Sequence, residues 1–327
     1  MSLSEDFVDA HIATWQANLS KGGYPYRAKW PSRLFHHTPL ENAVNILKGN
    51  CLRSRSDPAN NLERDVAAAS VNDTRTHAHG YVRFYFRPRT PTQYNIEGVR
   101  KTGECRYGDE THAPVLFMLV FKCRGVLTLP GVRFSNQNMQ IVATVDGEDE
   151  EYFRRIPFEK VFHMGAIGGD YSIISHRCAE VLAPSPLPLE DHLQWIYCRS
   201  EAERETLLYR LGDDASSWNS RIKVSDDLRV FEKDYVFVEE IRLSKEGVTF
   251  QLHPRKDHET VDIRITLWNP EGRVALKFEN SSLAAVPPKN KRWIFRQPLS
   301  EEYYRVRVRL EGHIAYEGQL RVANELI

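Results

Sequence analysis

No apolar run in the 327-residue sequence approaches the ~20 residues that a membrane-spanning helix needs, and no basic-plus-apolar leader opens it. The expectation is a soluble, cytoplasmic protein with no membrane partner. Net charge is missing too. Lys+Arg and Asp+Glu both total 44, so overall charge steers the chain toward no class of partner. The five cysteines are odd in number and form no CxxC, which excludes a zinc ribbon and a thioredoxin-like motif and points to free thiols in a reducing compartment. There is no GxGxxG, P-loop, HExxH or GxSxG. His36 and His37 are adjacent, and His77 and His79 are two apart, but no carboxylate or cysteine stands at a ligand spacing beside them, so no metal is expected.

The length suits two domains, and a 41% hydrophobic content gives each a core. Residues 5–19 carry Phe7, Ile12, Trp15 and Leu19 at helical spacing. Thr38-Pro39-Leu40-Glu41 reads as a capping box with proline at the first helical position, and Gly49 suits the end of that helix. The start of such a helix favours anions. Residues 54–80 are polar and read as a long loop with one helical turn near Val66–Ser70; loops of that length in a compact domain are usually functional. VRFYF (82–86), VLFMLVF (115–121) and HRCAEVLAP (176–184) read as strands, and GAIGG (165–169) as a turn. Ser200-Glu201-Ala202-Glu203 is a second capping box, opening a helix that closes at Gly212. Beyond about residue 220 the texture changes to short period-2 runs separated by turn residues, the pattern of a β-sandwich. The expected division is therefore 1–220 and 221–327.

Charge is uneven locally. Ten Lys/Arg and four Asp/Glu lie between Arg75 and Arg133. Within that stretch Tyr81, Phe84, Tyr85, Phe86 and Tyr94 interleave with Arg83, Arg87 and Arg89, a mixture that suits either a core strand or bases and phosphates. Glu180 is a carboxylate in an otherwise apolar strand, which is costly unless it is paired or functional. Pairing with Arg177 or an outward strand-edge position would account for it without a catalytic role.

LFHHTPLENAVNIL, NDTR, HGYVRFYFRPRTPTQY, VRFSNQNMQ and HRCAEVL, in that order, resemble the DarT family of DNA ADP-ribosyltransferase toxins over about residues 33–212. The resemblance implies an α+β fold, an ADP-ribosyltransferase-like split β-sheet with helices, with the all-β sandwich domain added to it. It implies NAD as substrate and no metal. Glu180 and Arg75 would be catalytic, and His36, Thr38, Arg75, Tyr81 and Phe86 would hold NAD. Arg83, Arg87, Arg89, Tyr94, Asn136 and Asn138 would meet nucleic acid. Arg83 stands where the family usually has proline. The implied acceptor is a base in single-stranded DNA, with RNA as the alternative and a non-catalytic nucleic-acid-binding module as the non-enzyme alternative. An antitoxin or other regulatory protein is the implied partner.

Overall fold

A computed structural model describes residues 2–66, 76–139, 141, 143–257, 259–285 and 292–324. Two compact units interleave along the chain. The first takes Met1–Asn95, Met118–Tyr197 and Ser225–Phe231; the second takes Ile96–Phe117, Cys198–Val224 and Glu232–Ile327. The all-β run begins at Phe237, and residues 96–117 and 198–224 group with it despite preceding it.

In the first unit α1 (Glu5–Ser20) starts at Ser4, whose Oγ accepts from the Phe7 amide at 3.3 Å. Its apolar stripe meets an aromatic layer: Phe7 lies edge-on to Phe153, and Trp15 packs on Phe158. The strands are β1 (Arg33–Pro39), β2 (Cys51–Leu52), β3 (Tyr81–Tyr85), β4 (Leu116–Lys122), β5 (Arg133–Ser135), β6 (Asp146–Gly147), β7 (Glu180–Pro184), β8 (Leu187–Pro188) and β9 (Leu193–Cys198). In the main sheet they lie side by side as β9-β4-β1-β3-β7-β5-β6, and β2 pairs separately with β8. Leu116 to Phe121 of β4 are fully buried, as a continuous apolar run requires of a strand covered on both faces.

Two local expectations change. Helix α2 runs Leu40–Lys48 and its N-cap is Pro39, with no side-chain cap. Strand β1 continues through Pro39, so Thr38 is still extended and one residue too early to cap. At the other end Gly49 is right-handed (φ −78°) and Asn50 takes the left-handed conformation (φ 46°). The segment 176–184 is not all strand. Ser172–His176 is a short helix, and β7 begins at Glu180 itself. At the second capping box Ser200 Oγ accepts from the Glu203 amide as read, but the Glu203 carboxylate reaches one residue further back, to the Arg199 amide; Gly212 ends the helix Glu201–Leu211 at φ 61°.

The second unit holds a seven-stranded sheet built from every run the sequence marked after residue 235. Val274–Leu283, Val261–Trp268, Tyr303–Leu310 and His313–Ala323 form one layer; Phe237–Ser244, Gly247–His253 and Trp293–Arg296 form the other. A short parallel pairing, Leu243 with Val322 and Ser244 with Ala323, joins them. Inward residues such as Ile263, Ile265, Val306, Val308, Val248 and Phe250 make the core between the layers. Phe278 and Phe295, from the two outermost strands, meet at 4.9 Å and bring the sandwich close to a barrel.

Candidate active site

The first unit's sheet is split between β1 and β3. These strands are registered at Phe35 opposite Tyr85. Further on, a side chain takes the place of the ladder: His36 Nδ1 lies 2.9 Å from the Arg83 carbonyl. A carbonyl can only accept, so Nδ1 carries the proton and Nε2 of the neutral ring is left as an acceptor. Burial lowers the His36 pKa, against the pull of that carbonyl. Burial, with His36 adding, takes His37 down to about 3. His37 stacks on Tyr85 at 5.3 Å with the rings 3° from parallel.

The split opens into a cavity of about 660 Å³. Its walls include His36, His37, Thr38, Tyr81 and Arg83 from the strand side, and Arg53, Arg55 and Arg64 from the polar segment after β2. Asn42 of α2 holds that segment in place. Its Nδ2 donates to the Arg64 carbonyl at 2.7 Å, and its Oδ1 accepts from the amides of Glu63 and Arg64. The arginines are paired locally, Arg53 with Asp57 at 2.9 Å and Arg55 with Asp65. Pro39, the uncapped start of α2, also lines the cavity. Cations and helix-start amides on one wall suit an anionic ligand, and the volume is that of a small-molecule site.

Glu180 sits behind this wall with its side chain 1% exposed. It faces Tyr85 across the β3–β7 ladder, and its amide donates to Ser135 Oγ at 3.1 Å. Its carboxylate is gripped by Arg83, Nε to Oε2 at 2.6 Å and Nη2 to Oε1 at 2.8 Å. This charge-assisted fork is what makes the burial tolerable. Burial lowers the Arg83 pKa and is the largest single influence, but the charge and hydrogen bonds of Glu180, with Tyr85 and Cys178 adding, together outweigh it and the net shift is upward. Tyr85 is pushed up by burial first and by Glu180 second, so it stays a neutral phenol. Arg83, rather than Glu180, reaches the cavity surface.

Other candidates are dispersed. Tyr81 lines the cavity and packs against Ala78, Met139 and Leu182. Phe86 does not line it. It is 2% exposed in the aromatic core, 5.2 Å from Phe158 and 5.9 Å from Phe153. Alternation along β3 sends it to the face opposite Tyr85. Arg87 is buried as well. It donates to the carbonyls of Pro88, Val161 and His163 and lies over Trp30, so it braces the fold instead of facing solvent. Arg83 is committed to Glu180. Arg89 is half-buried at φ 56°, its amide bonded to Gln93 Oε1, and Tyr94 is 46% exposed. Asn136 and Asn138 are half-buried in a segment tied by backbone to His176 and Ser175. Arg75 lies outside the described residues. The cavity arginines Arg53, Arg55 and Arg64 were not singled out in the sequence; the length of the polar loop was the signal that could have found them. Among the described residues no group of His, Cys, Asp and Glu forms a metal cluster, and no helix is long and apolar enough to cross a membrane.

The family model for DarT, described as ssDNA thymidine ADP-ribosyltransferase, matches residues 35–228. Similar solved structures include a DarT from Thermus sp. 2.9 in complex with ADP-ribosylated ssDNA, 19% identical, covering 61% of this chain and 96% of that one with a TM-score of 0.46. The same Thermus protein in complex with NAD+ is 18% identical over 59% of this chain and 96% of that one, TM-score 0.44. A Thermosipho africanus DarTG in complex with ADP-ribose is 14% identical over 64% of this chain and 52% of that one, TM-score 0.41. No curated protein matches significantly.

Proposed function

The chain belongs to the DarT family of NAD-dependent ADP-ribosyltransferases, and on that premise we propose that it transfers ADP-ribose from NAD to a thymidine base of single-stranded DNA, with Glu180 as the carboxylate that drives the transfer. The observation that carries this reading is Glu180 itself: a buried carboxylate held in a fork by an arginine that lines a cation-rich cavity.

In this reading the NAD diphosphate meets Arg53, Arg55 and Arg64 and the open start of α2. Arg75 joins them. Thr38 and Tyr81 bound the nicotinamide end, and His36 Nε2 accepts a hydroxyl of the adjoining ribose. The bond from the ribose anomeric carbon to nicotinamide breaks, and its electron pair leaves with nicotinamide. Positive charge builds on the ribose, and the negative charge of Glu180, fixed behind the cavity wall by Arg83, stabilises it. A ring nitrogen of the base attacks the anomeric carbon, and the proton it carried passes to solvent water as the new bond forms. The attacked edge must be unpaired, which favours a single strand. The exposed Tyr94, with Arg89, Asn136 and Asn138, is the side on which that strand would lie.

A bulky group on a pairing edge blocks templating. Such an enzyme would act as a toxin in a toxin–antitoxin or phage-defence setting and would require a restraining protein partner. The test is incubation with labelled NAD and, in parallel, single-stranded DNA, duplex DNA, RNA and a protein lysate. Label on single-stranded DNA, lost in Glu180→Ala, is the expected result. Label on RNA alone would move the acceptor, and label on none with NAD intact would remove the reading.

A further inference from the structure

The second unit carries a face that the transfer chemistry leaves unused. In Tyr303–Leu310, alternation buries Tyr304, Val306, Val308 and Leu310 and sends Tyr303, Arg305, Arg307 and Arg309 to the opposite side. The register sets Arg305 opposite Trp268, Arg307 opposite Thr266 and Arg309 opposite Arg264 on one neighbouring strand, and Tyr303 opposite Arg321 on the other. Lys277 follows on the next strand, opposite Thr266. The Arg305 guanidinium lies 4.4 Å from the centre of the Trp268 ring and that of Arg307 5.5 Å from it, while Arg321 is 6.0 Å from the Tyr303 ring.

Part of this charge is matched. Arg307 pairs with Glu317, Arg321 with Glu302 and Arg264 with Asp262. Among the described residues no carboxylate lies within ion-pair range of Arg305 or Arg309; Arg309 instead donates to the Gly312 carbonyl at 2.7 Å. Arg309 directly opposite Arg264 is a like-charge cross-strand pair, which destabilises a sheet. A polyanion laid across the face would relieve it. The arginines stacked on Trp268 present donors in fixed directions, and Trp268 and Tyr303 offer ring surface beside them.

We propose that this sheet face binds single-stranded nucleic acid, with Arg305, Arg309 and Arg264 on phosphates and Trp268 and Tyr303 against bases. Basic residues and aromatics interleaved on one surface suit a strand whose bases are exposed, whereas a purely acidic partner would leave the rings unused. Binding here is independent of the transfer reaction and is read separately from it.

The test is fluorescence anisotropy of the full chain with a labelled single-stranded DNA of about 30 nucleotides over a salt series. Arg305→Gln/Arg309→Gln removes two phosphate contacts, so the slope of log K against log salt becomes shallower by about 1.4. Arg305→Glu/Arg309→Glu lowers affinity at least about tenfold at low salt, and Trp268→Ala lowers it by about tenfold. Melting curves confirm that each variant is folded, and the glutamine pair serves if the reversed pair is not. Unchanged affinity and slope in folded variants would overturn the proposal. So would tighter binding of duplex DNA or of a polyglutamate peptide, which would name a different occupant. Normal binding by the variants with transfer abolished in Glu180→Ala removes this face and leaves the transferase reading standing. Lost binding with no transfer by the parent chain does the reverse.

Discussion

Arg83 and Glu180 are diagonal neighbours on adjoining antiparallel strands: Glu180 lies opposite Tyr85 and Arg83 opposite Leu182, and the forked bonds of 2.6 and 2.8 Å cross between them. Removing the arginine strands a carboxylate that is 1% exposed. Arg83→Ala is expected to cost about 3–5 kcal/mol of stability and most of the turnover. Arg83→Lys keeps the charge but not the fork and should fall between. A double-mutant cycle with Glu180→Ala, followed by urea unfolding, should give a coupling above about 1 kcal/mol; additive losses would deny that the pair acts as a unit.

The arginines on the cavity wall belong to binding. Arg53 and Arg55 are about one-third exposed and pair with Asp57 and Asp65, contacts that contribute little to stability. Arg53→Ala and Arg55→Ala should each raise the KM for NAD about tenfold, the loss of one charge-assisted contact, with the melting temperature nearly unchanged. Steady-state kinetics at saturating DNA checks this. An unaltered KM in both would place the diphosphate elsewhere.

Phe86 supplies the opposite case. It packs within the Phe153 and Phe158 cluster, so Phe86→Ala should cost about 3–5 kcal/mol. Phe86→Leu, a milder change, should lower the melting temperature while leaving the KM for NAD at its parent value. A raised KM in a folded Phe86→Leu protein would return this ring to the pocket.

What the sequence made legible follows from what pattern can encode. The seven strands of the second unit are written as period-2 runs between turn residues, and all of them form. Glu180 stood out because a carboxylate in an apolar run needs a reason. Its partner did not. Arg177 is nearer in sequence, but it follows a helical turn and bonds His163 and Gly165, while Arg83 arrives through a strand pairing that spans 97 residues. Thr38 fits a capping box by composition, yet strand β1 runs one residue past it. Phe86 and Arg87 look like pocket and phosphate residues in a motif, and only packing reveals that both are internal.

The two histidines at the split make stability depend on pH. Burial lowers both pKa values, His37 to about 3, against an unfolded value of about 6.5. Between those values the unfolded chain binds more protons than the folded one. The contribution is therefore fully present above about pH 6.5 and is lost as pH falls toward 3. One such group changes stability by at most about 1.4 kcal/mol per pH unit. Urea unfolding should show lower stability at pH 5 than at pH 7, with a smaller difference in His37→Asn. His11, lowered to about 4 by burial, keeps part of the dependence in that variant. An identical pH dependence in parent and variant would mean that His37 is not buried in its neutral form.

The most direct measurement is transfer of label from NAD to single-stranded DNA by the parent chain and by Glu180→Gln, which keeps the side chain's shape and one acceptor for Arg83 while removing the charge. The expected result is labelled DNA from the parent and at least about a hundredfold less from the variant, with NAD binding retained. Label undiminished in the variant, or absent from DNA in the parent, would contradict it.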